Sequence, residues 1–267
     1  MLKDITLGQY FPGNTIVHRL DPRTKIWMVV MYIVALFTAK WFVSYGIMLI
    51  FLISSILLSK IELKTILRGM KPLILIIIIT GILNMFYTAG EPLVSFWIFT
   101  ITKEGLVRAF FMVIRILMLV TGTFLLTYTT SPIALTDGLE NMMAPLKKIK
   151  VPVHELSMMM SIALRFIPTL IEETDKIISA QKARGADFES GNLIQRAKAL
   201  IPILVPLFIS AFRRADELAV AMECRCYHGG EGRTRMKQLR YVLRDGITLL
   251  IGLLIVAGMF VLRHFGF

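Results

Sequence analysis

Two arginines, each placed between small residues, are the side chains in this sequence whose type and spacing most directly suggest a binding chemistry. The two triplets are Ala183-Arg184-Gly185 and Cys224-Arg225-Cys226. A guanidinium group is always charged and planar, and it can donate two parallel hydrogen bonds to a carboxylate-lined groove. Small neighbours leave such a group unshielded and let the backbone of a partner approach. The triplets therefore predict docking points for another protein.

The two triplets also end two similar stretches of sequence. Each arginine has an acid nine residues upstream and an alanine four residues upstream, namely Asp175 and Ala180 in the first stretch and Asp216 and Ala221 in the second. The arginines are 41 residues apart (225 − 184), an offset in the range of a duplicated helical unit. The helix dipole alone favours an arginine at a helix C-terminus by about 0.3–1 kcal/mol. That effect explains either arginine singly, but not the pairing or the small neighbours.

Metal binding and nucleotide hydrolysis are the other chemistries to consider. Cys224, Cys226 and His228 lie close together in sequence, but they lack a fourth nearby ligand, and the two cysteines point to different faces of a helix. The sequence contains no Walker motif or other nucleotide-binding loop. We therefore expect no metal and no cofactor on this chain, and no hydrolysis by it.

The composition is that of a membrane protein. Of the 267 residues, 56 % are hydrophobic, and they occur in blocks long enough to cross a bilayer. The net charge of +12 could indicate nucleic-acid binding, but most lysines and arginines flank the apolar blocks or lie near the first triplet. Positive-inside topology and contact with anionic lipid headgroups explain that pattern, so we expect no nucleic-acid partner. The predicted class is an all-α, polytopic membrane protein.

The apolar blocks predict five transmembrane helices. Their cores span residues 26–39, 45–59, 72–89, 106–128 and 246–262. The first two blocks form a tight helical hairpin, with Lys40 reaching outward and Trp41 in the aromatic belt. A sixth crossing through Ile201–Phe212 is the alternative, although Pro202 and Pro206 each cost up to about 3 kcal/mol in a continuous helix.

Loop charges predict the orientation. The loop after the second span carries four cations and one acid, namely Lys60, Lys64, Arg68, Lys71 and Glu62. This loop and the N-terminus are therefore predicted to be cytoplasmic. The chain divides into residues 1–130 with four spans, residues 131–245 as a cytoplasmic region with the two arginine-tipped helices, and residues 246–267 with the last span.

Four residues carry local structural predictions. Asp21 can cap the first helix, and Pro22 can occupy its first turn. Asn84, inside the third span, suggests a hydrogen bond between helices. Arg115, deep in the fourth span, costs at least about 2.5 kcal/mol unless it has a partner, and a structural contact is favoured over a transport role.

The apolar parts of the two arginine-tipped helices admit two interpretations. The residues concerned are Met158, Met159, Met160 and Leu164 in the first helix and Leu204, Leu207 and Phe208 in the second. A flexible, methionine-rich surface can adapt to changing partners. The same residues can instead pack the two helices against each other, and both interpretations stay open.

The segment Leu20-Asp21-Pro22-Arg23-Thr24-Lys25, the five or six spans and the two triplets together resemble the T component of energy-coupling factor (ECF) transporters. That family couples two cytoplasmic ABC-type ATPases to a small membrane S component that binds a vitamin or a metal ion. The resemblance implies that the two helices are coupling helices whose triplets dock the ATPases, which bind the ATP. It also implies that the apolar residues form a platform under the S component. Cys224-Arg225-Cys226 departs from the commoner Ala-Arg-Gly form.

The resemblance further implies a multi-pass protein of a prokaryotic cell membrane. Two other classes compete with it. A membrane-embedded enzyme needs several convergent polar residues at membrane depth, and the spans offer almost none besides Asn84 and Arg115. A stand-alone secondary transporter needs broken helices and intramembrane carboxylates, and no acid lies within the predicted spans.

Overall fold

A computed structural model describes residues 10–88, 92–96, 99–188, 192–230 and 238–265. Within these ranges the regular structure is helical apart from one short antiparallel hairpin, so the predicted all-α class is confirmed. The elements are α1 (Pro22–Thr38), α2 (Phe42–Ser59), α3 (Leu63–Met70), α4 (Ile74–Tyr87), β1 (Pro92–Phe96), β2 (Phe99–Thr102), α5 (Lys103–Thr129), α6 (Pro132–Met142), α7 (Val153–Ala183), α8 (Leu193–Glu223) and α9 (Leu243–His264).

The chain divides into two compact units. One contains the described residues of Gly8–Gly138 and Leu239–Phe267, and therefore α1 to α5 and α9. The other contains the described residues of Leu139–Gln238, including α7 and α8. The three predicted domains, residues 1–130, 131–245 and 246–267, are defined instead by where the chain crosses the membrane. This division stays a prediction.

Five helical segments in the described part of the chain are long and apolar enough to cross a bilayer. They are Phe42–Ser59, Leu63–Tyr87, Lys103–Thr129, Ile194–Glu223 and Leu243–His264. The count of five is as predicted, but the membership differs. α8 qualifies despite its two prolines, whereas α1 has 17 residues, about 25 Å against a hydrocarbon core of about 30 Å. The alternative crossing through α8 therefore stays open.

The first two helices follow their local sequence signals. Asp21 caps α1, since its Oδ1 accepts a hydrogen bond of 2.9 Å from the backbone N–H of Arg23, and Pro22 is the first helical residue. Both predictions are confirmed. α1 ends at Thr38 and α2 begins at Phe42, so the predicted tight hairpin around Lys40 is also present.

The segment that resembles the transporter family joins the first helix to the last one. The backbone N–H of Asp21 donates to Oδ1 of Asp245 at 2.9 Å. The other oxygen of Asp245 accepts from the backbone N–H of Val242 at 2.9 Å, which caps α9. Arg23 forms an ion pair with Asp21 at 3.0 Å. One buried carboxylate, Asp245, thus fixes the starts of both helices.

Helix α5 lies at the centre of this unit. It packs against α1, α2, α3 and α4, and the buried cluster includes Tyr32, Met48, Met70, Met118 and Tyr128. The hydroxyl group of Tyr32 donates to the backbone oxygen of Met118 at 3.2 Å. These contacts give the helices of this unit a common core.

The polar residues within the spans have structural partners. Arg115 donates from Nε to the hydroxyl oxygen of Tyr45 at 2.8 Å and from a terminal nitrogen to the carbonyl of Ala39 at 3.1 Å. The favoured structural contact of Arg115 is therefore present. Asn84 donates to the carbonyl of Thr80 at 2.9 Å. Among the residues that the structure describes, no bond from this side chain to another helix is seen, and that bond stays a prediction.

A candidate docking site at the ends of two helices

Helices α7 and α8 have 31 residues each, and both end at an arginine triplet. α7 follows Pro152, and α8 begins with a capping box in which the side chain of Gln195 accepts from the backbone N–H of Asn192 at 3.0 Å. The structure thus places both triplets at helix C-termini, as the sequence predicts. Their docking role stays a prediction.

The first triplet ends α7 with a Schellman motif. Gly185 has a φ of +86°, and its N–H donates to the carbonyl of Lys182 at 3.0 Å. The N–H of Ala186 donates to the carbonyl of Gln181, also at 3.0 Å. Glycine is favoured at the left-handed position of this motif because it has no β-carbon. Arg184 is therefore the residue immediately before the turn.

The second triplet ends α8 with the same motif. Cys226 has a φ of +54°, and its N–H donates to the carbonyl of Glu223 at 2.8 Å. The N–H of Tyr227 donates to the carbonyl of Met222 at 3.1 Å. The departure from Ala-Arg-Gly therefore preserves the turn, although a β-carbon in the left-handed region costs about 1–2 kcal/mol. Arg225 holds the same place as Arg184 in the first motif.

Both arginines are available to a partner. All six residues of the triplets are exposed. Within the described part of the chain, neither guanidinium group of Arg184 and Arg225 makes a hydrogen bond or an ion pair. Two exposed, unpaired cations in identical turns are suited to binding carboxylates on a second protein.

An ion pair joins the two helices away from their ends. A terminal nitrogen of Arg214 donates to Oε2 of Glu173 at 3.0 Å, and the hydroxyl group of Ser210 donates to Oε1 of the same carboxylate. The hydrogen bond from Ser210, together with the charge of Arg214, holds the pKa of the Glu173 carboxyl below its usual value. Glu173 therefore stays ionised at neutral pH. The periodicity of either helix alone gives no signal of this contact.

A second contact lies nearer the loop that connects the helices. The side-chain amide of Gln181 donates to the carbonyl of Pro202 at 3.4 Å. That carbonyl lacks its usual helical donor, because the residue four positions later is Pro206, which has no N–H. Later residues of α7 thus contact earlier residues of α8, so the two helices run antiparallel along this interface.

The proposed platform residues are largely accessible. Met159, Met160, Leu204 and Phe208 are exposed, while Met158, Leu164 and Leu207 are half-buried. The exposed fraction of the Phe208 side chain reaches 61 %. Packing between α7 and α8 thus leaves much of this apolar surface uncovered, which is what a partner surface requires. A platform role for these residues stays a prediction.

The cysteines of the second triplet are free and exposed. Among the residues that the structure describes, no group of three or more His, Cys, Asp and Glu side chains is arranged to hold a metal ion.

Comparison with known proteins assigns the whole chain. Residues 13–236 match the CbiQ family, described as "Cobalt transport protein". The chain is 57 % identical over 258 residues to the energy-coupling factor transporter transmembrane protein EcfT of Clostridium kluyveri, with 96 % of each chain covered. It is 57 % identical over 244 residues to the EcfT protein of Thermosediminibacter oceani, covering 91 % of this chain and 92 % of that one. Identity to the Lactococcus lactis protein of the same name is 44 % over 262 residues, with 98 % of each covered.

Proposed function

The chain belongs to the family of energy-coupling factor transporter transmembrane proteins, and on this premise we propose that it transmits the motion of two cytoplasmic ABC-type ATPases to a membrane S component. As a member of that family it is a multi-pass membrane protein. The observation that carries the proposal is the pair of exposed arginines, Arg184 and Arg225, presented by the same helix-terminal turn.

Each triplet docks one ATPase. The guanidinium group enters a carboxylate-lined groove on the ATPase, where two parallel hydrogen bonds fix its orientation. The small neighbours, Ala183 and Gly185 at one site and Cys224 and Cys226 at the other, let the groove close around the helix end. Because the two turns are alike, two similar ATPase subunits can bind in the same way.

The apolar surface of α7 and α8 carries the S component. The surface is centred on Met159, Met160, Leu204 and Phe208, and it is exposed on the described structure. Methionine side chains adapt to partners of different shape. Closure of the ATPases on ATP moves the docked helix ends, and the platform then tilts the S component so that its substrate reaches the cytoplasm.

The substrate is a vitamin or a metal ion, bound by the S component and not by this chain. The N-terminus and the region 131–245 face the cytoplasm of a prokaryotic cell, where the ATPases are located. The chain itself is not an enzyme in this proposal and needs no cofactor, since ATP is bound and hydrolysed by its partners.

Purification of the affinity-tagged chain from its native membranes tests the proposal. We expect the preparation to contain two ABC-type ATPase subunits and a small membrane protein, and to hydrolyse ATP. The chain purified alone is expected to show no hydrolysis. A preparation that takes up substrate in proteoliposomes without any ATPase subunit contradicts the proposal.

A further inference from the structure

Glu173 and Arg214 occupy equivalent positions in the two arginine-tipped helices. The offset of 41 residues that aligns Arg184 with Arg225 also relates Glu173 to Arg214. The two side chains form the ion pair that joins α7 to α8 at 3.0 Å. A contact between equivalent positions is what an approximate two-fold axis produces, since equivalent residues meet at such an axis. The ion pair therefore marks the centre of the repeat.

The two docking arginines lie equally far from this centre. Arg184 lies eleven positions after Glu173 (184 − 173), and Arg225 lies eleven positions after Arg214 (225 − 214). Neither stretch contains a proline, so each is a continuous helical arm of about 16 Å. Because α7 and α8 run antiparallel, the arms extend in opposite directions. A rotation of α7 and α8 about this centre therefore moves both arginines by the same distance.

Apolar packing alone does not fix this symmetry. The attraction between side chains such as Met, Leu and Phe has no direction, so it specifies the register of two helices less strictly than a polar contact does. A charged, hydrogen-bonded pair specifies one register. Glu173 binds two groups on α8, Ser210 and Arg214, one helical turn apart. It therefore fixes both the position and the rotation of α8 against α7.

We propose that Glu173 is a positioning residue that clasps α7 to α8 at the centre of the repeat and keeps the two docking arginines on arms of equal length. This inference rests on the proposed function, because equal arms matter only if Arg184 and Arg225 each bind an ATPase. Because this contact holds α7 and α8 in one register, the two ATPases act on the platform together. Without it, ATP is still hydrolysed, but less of the motion reaches the S component.

The test measures distance and coupling in the assembled transporter. Spin labels are placed on exposed residues at equivalent positions, Lys182 and Glu223, with Cys224→Ala and Cys226→Gly in every variant. Glu173→Gln and Glu173→Ala are compared with Glu172→Gln, which removes an exposed charge from the neighbouring residue. We expect a broadened label distance and a loss of about fivefold or more in uptake per ATP hydrolysed for the Glu173 variants only. The exchange Glu173→Arg with Arg214→Glu is expected to restore both.

The outcomes separate the clasp from docking. If the Glu173 variants keep the distance and the coupling ratio, the clasp is wrong while the docking proposal stands. If a Glu173 variant assembles poorly and the charge exchange does not restore its assembly, the proposed role of Glu173 is also wrong. Retention of both ATPases after Arg184→Ala with Arg225→Ala overturns the proposed function itself, whatever the Glu173 variants do.

Discussion

Gly185 and Cys226 take the same kind of backbone conformation, with φ of +86° and +54°. Each follows a docking arginine and lets the chain reverse at the end of a helix. A β-carbon added at Gly185 would meet no other atom within 4 Å, so only the backbone conformation opposes a side chain there. At Cys226 the chain already bears that cost. For the stability of this chain, the residue after each arginine thus matters through its φ angle.

Substitutions of Gly185 and Cys226 test the role of the turn. We expect Gly185→Ala to lower the free energy of unfolding by about 1 kcal/mol and Cys226→Gly to raise it by a similar amount. Thermal unfolding in one detergent measures both. Gly46→Ala is the matched control, since Gly46 lies inside α2 with open space around it, and alanine there favours the helix. A stabilising Gly185→Ala would contradict the turn.

At the scale of helices, much of the fold follows from local signals in the sequence. The cap at Asp21, the break around Lys40 and the helix ends at both triplets were predicted, because each depends on neighbouring residues alone. The sequence favours α8 less as a membrane-length helix, because Pro202 and Pro206 oppose a continuous helix, whereas the structure shows one helix through both prolines. Gln181 supplies a donor for the carbonyl that Pro206 leaves free.

Two features were harder to predict. One is the positive φ of Cys226, since cysteine is not a typical residue at that position. The pairing of Glu173 with Arg214 depends on the register between two helices, which the periodicity of a single helix does not contain. The 41-residue repeat relates Glu173 to Arg214, but only the structure shows that these equivalent residues meet.

The orientation of the helices in the membrane is tested by cysteine labelling. With Cys224 and Cys226 replaced, Lys40→Cys is expected to react with an impermeant thiol reagent from outside the cell, and Lys64→Cys is not. Both side chains are exposed. The reverse labelling pattern would contradict the cytoplasmic N-terminus.

At the scale of the whole molecule, the chain has several membrane-length helices, and its two longest helices, α7 and α8, end at exposed arginines. The core around α5 and the carboxylate of Asp245 hold the first unit together. In the second unit, α7 and α8 present both the arginines and an uncovered apolar surface. These features suit a subunit that joins membrane partners to soluble ones, which is the role that we propose.

The most direct test of this account measures ATPase binding by the arginine variants. Arg184→Ala and Arg225→Ala are each expected to cost about 2–5 kcal/mol of ATPase affinity, because a desolvated carboxylate loses its partner. The double variant is expected to be far worse, and lysine to rescue poorly. Arg213 is an exposed arginine on α8, the helix that ends at the Arg225 triplet. The variant Arg213→Ala is the control, and it should bind the ATPases normally. Full ATPase recovery and full uptake by the double variant would show that the triplets only end their helices.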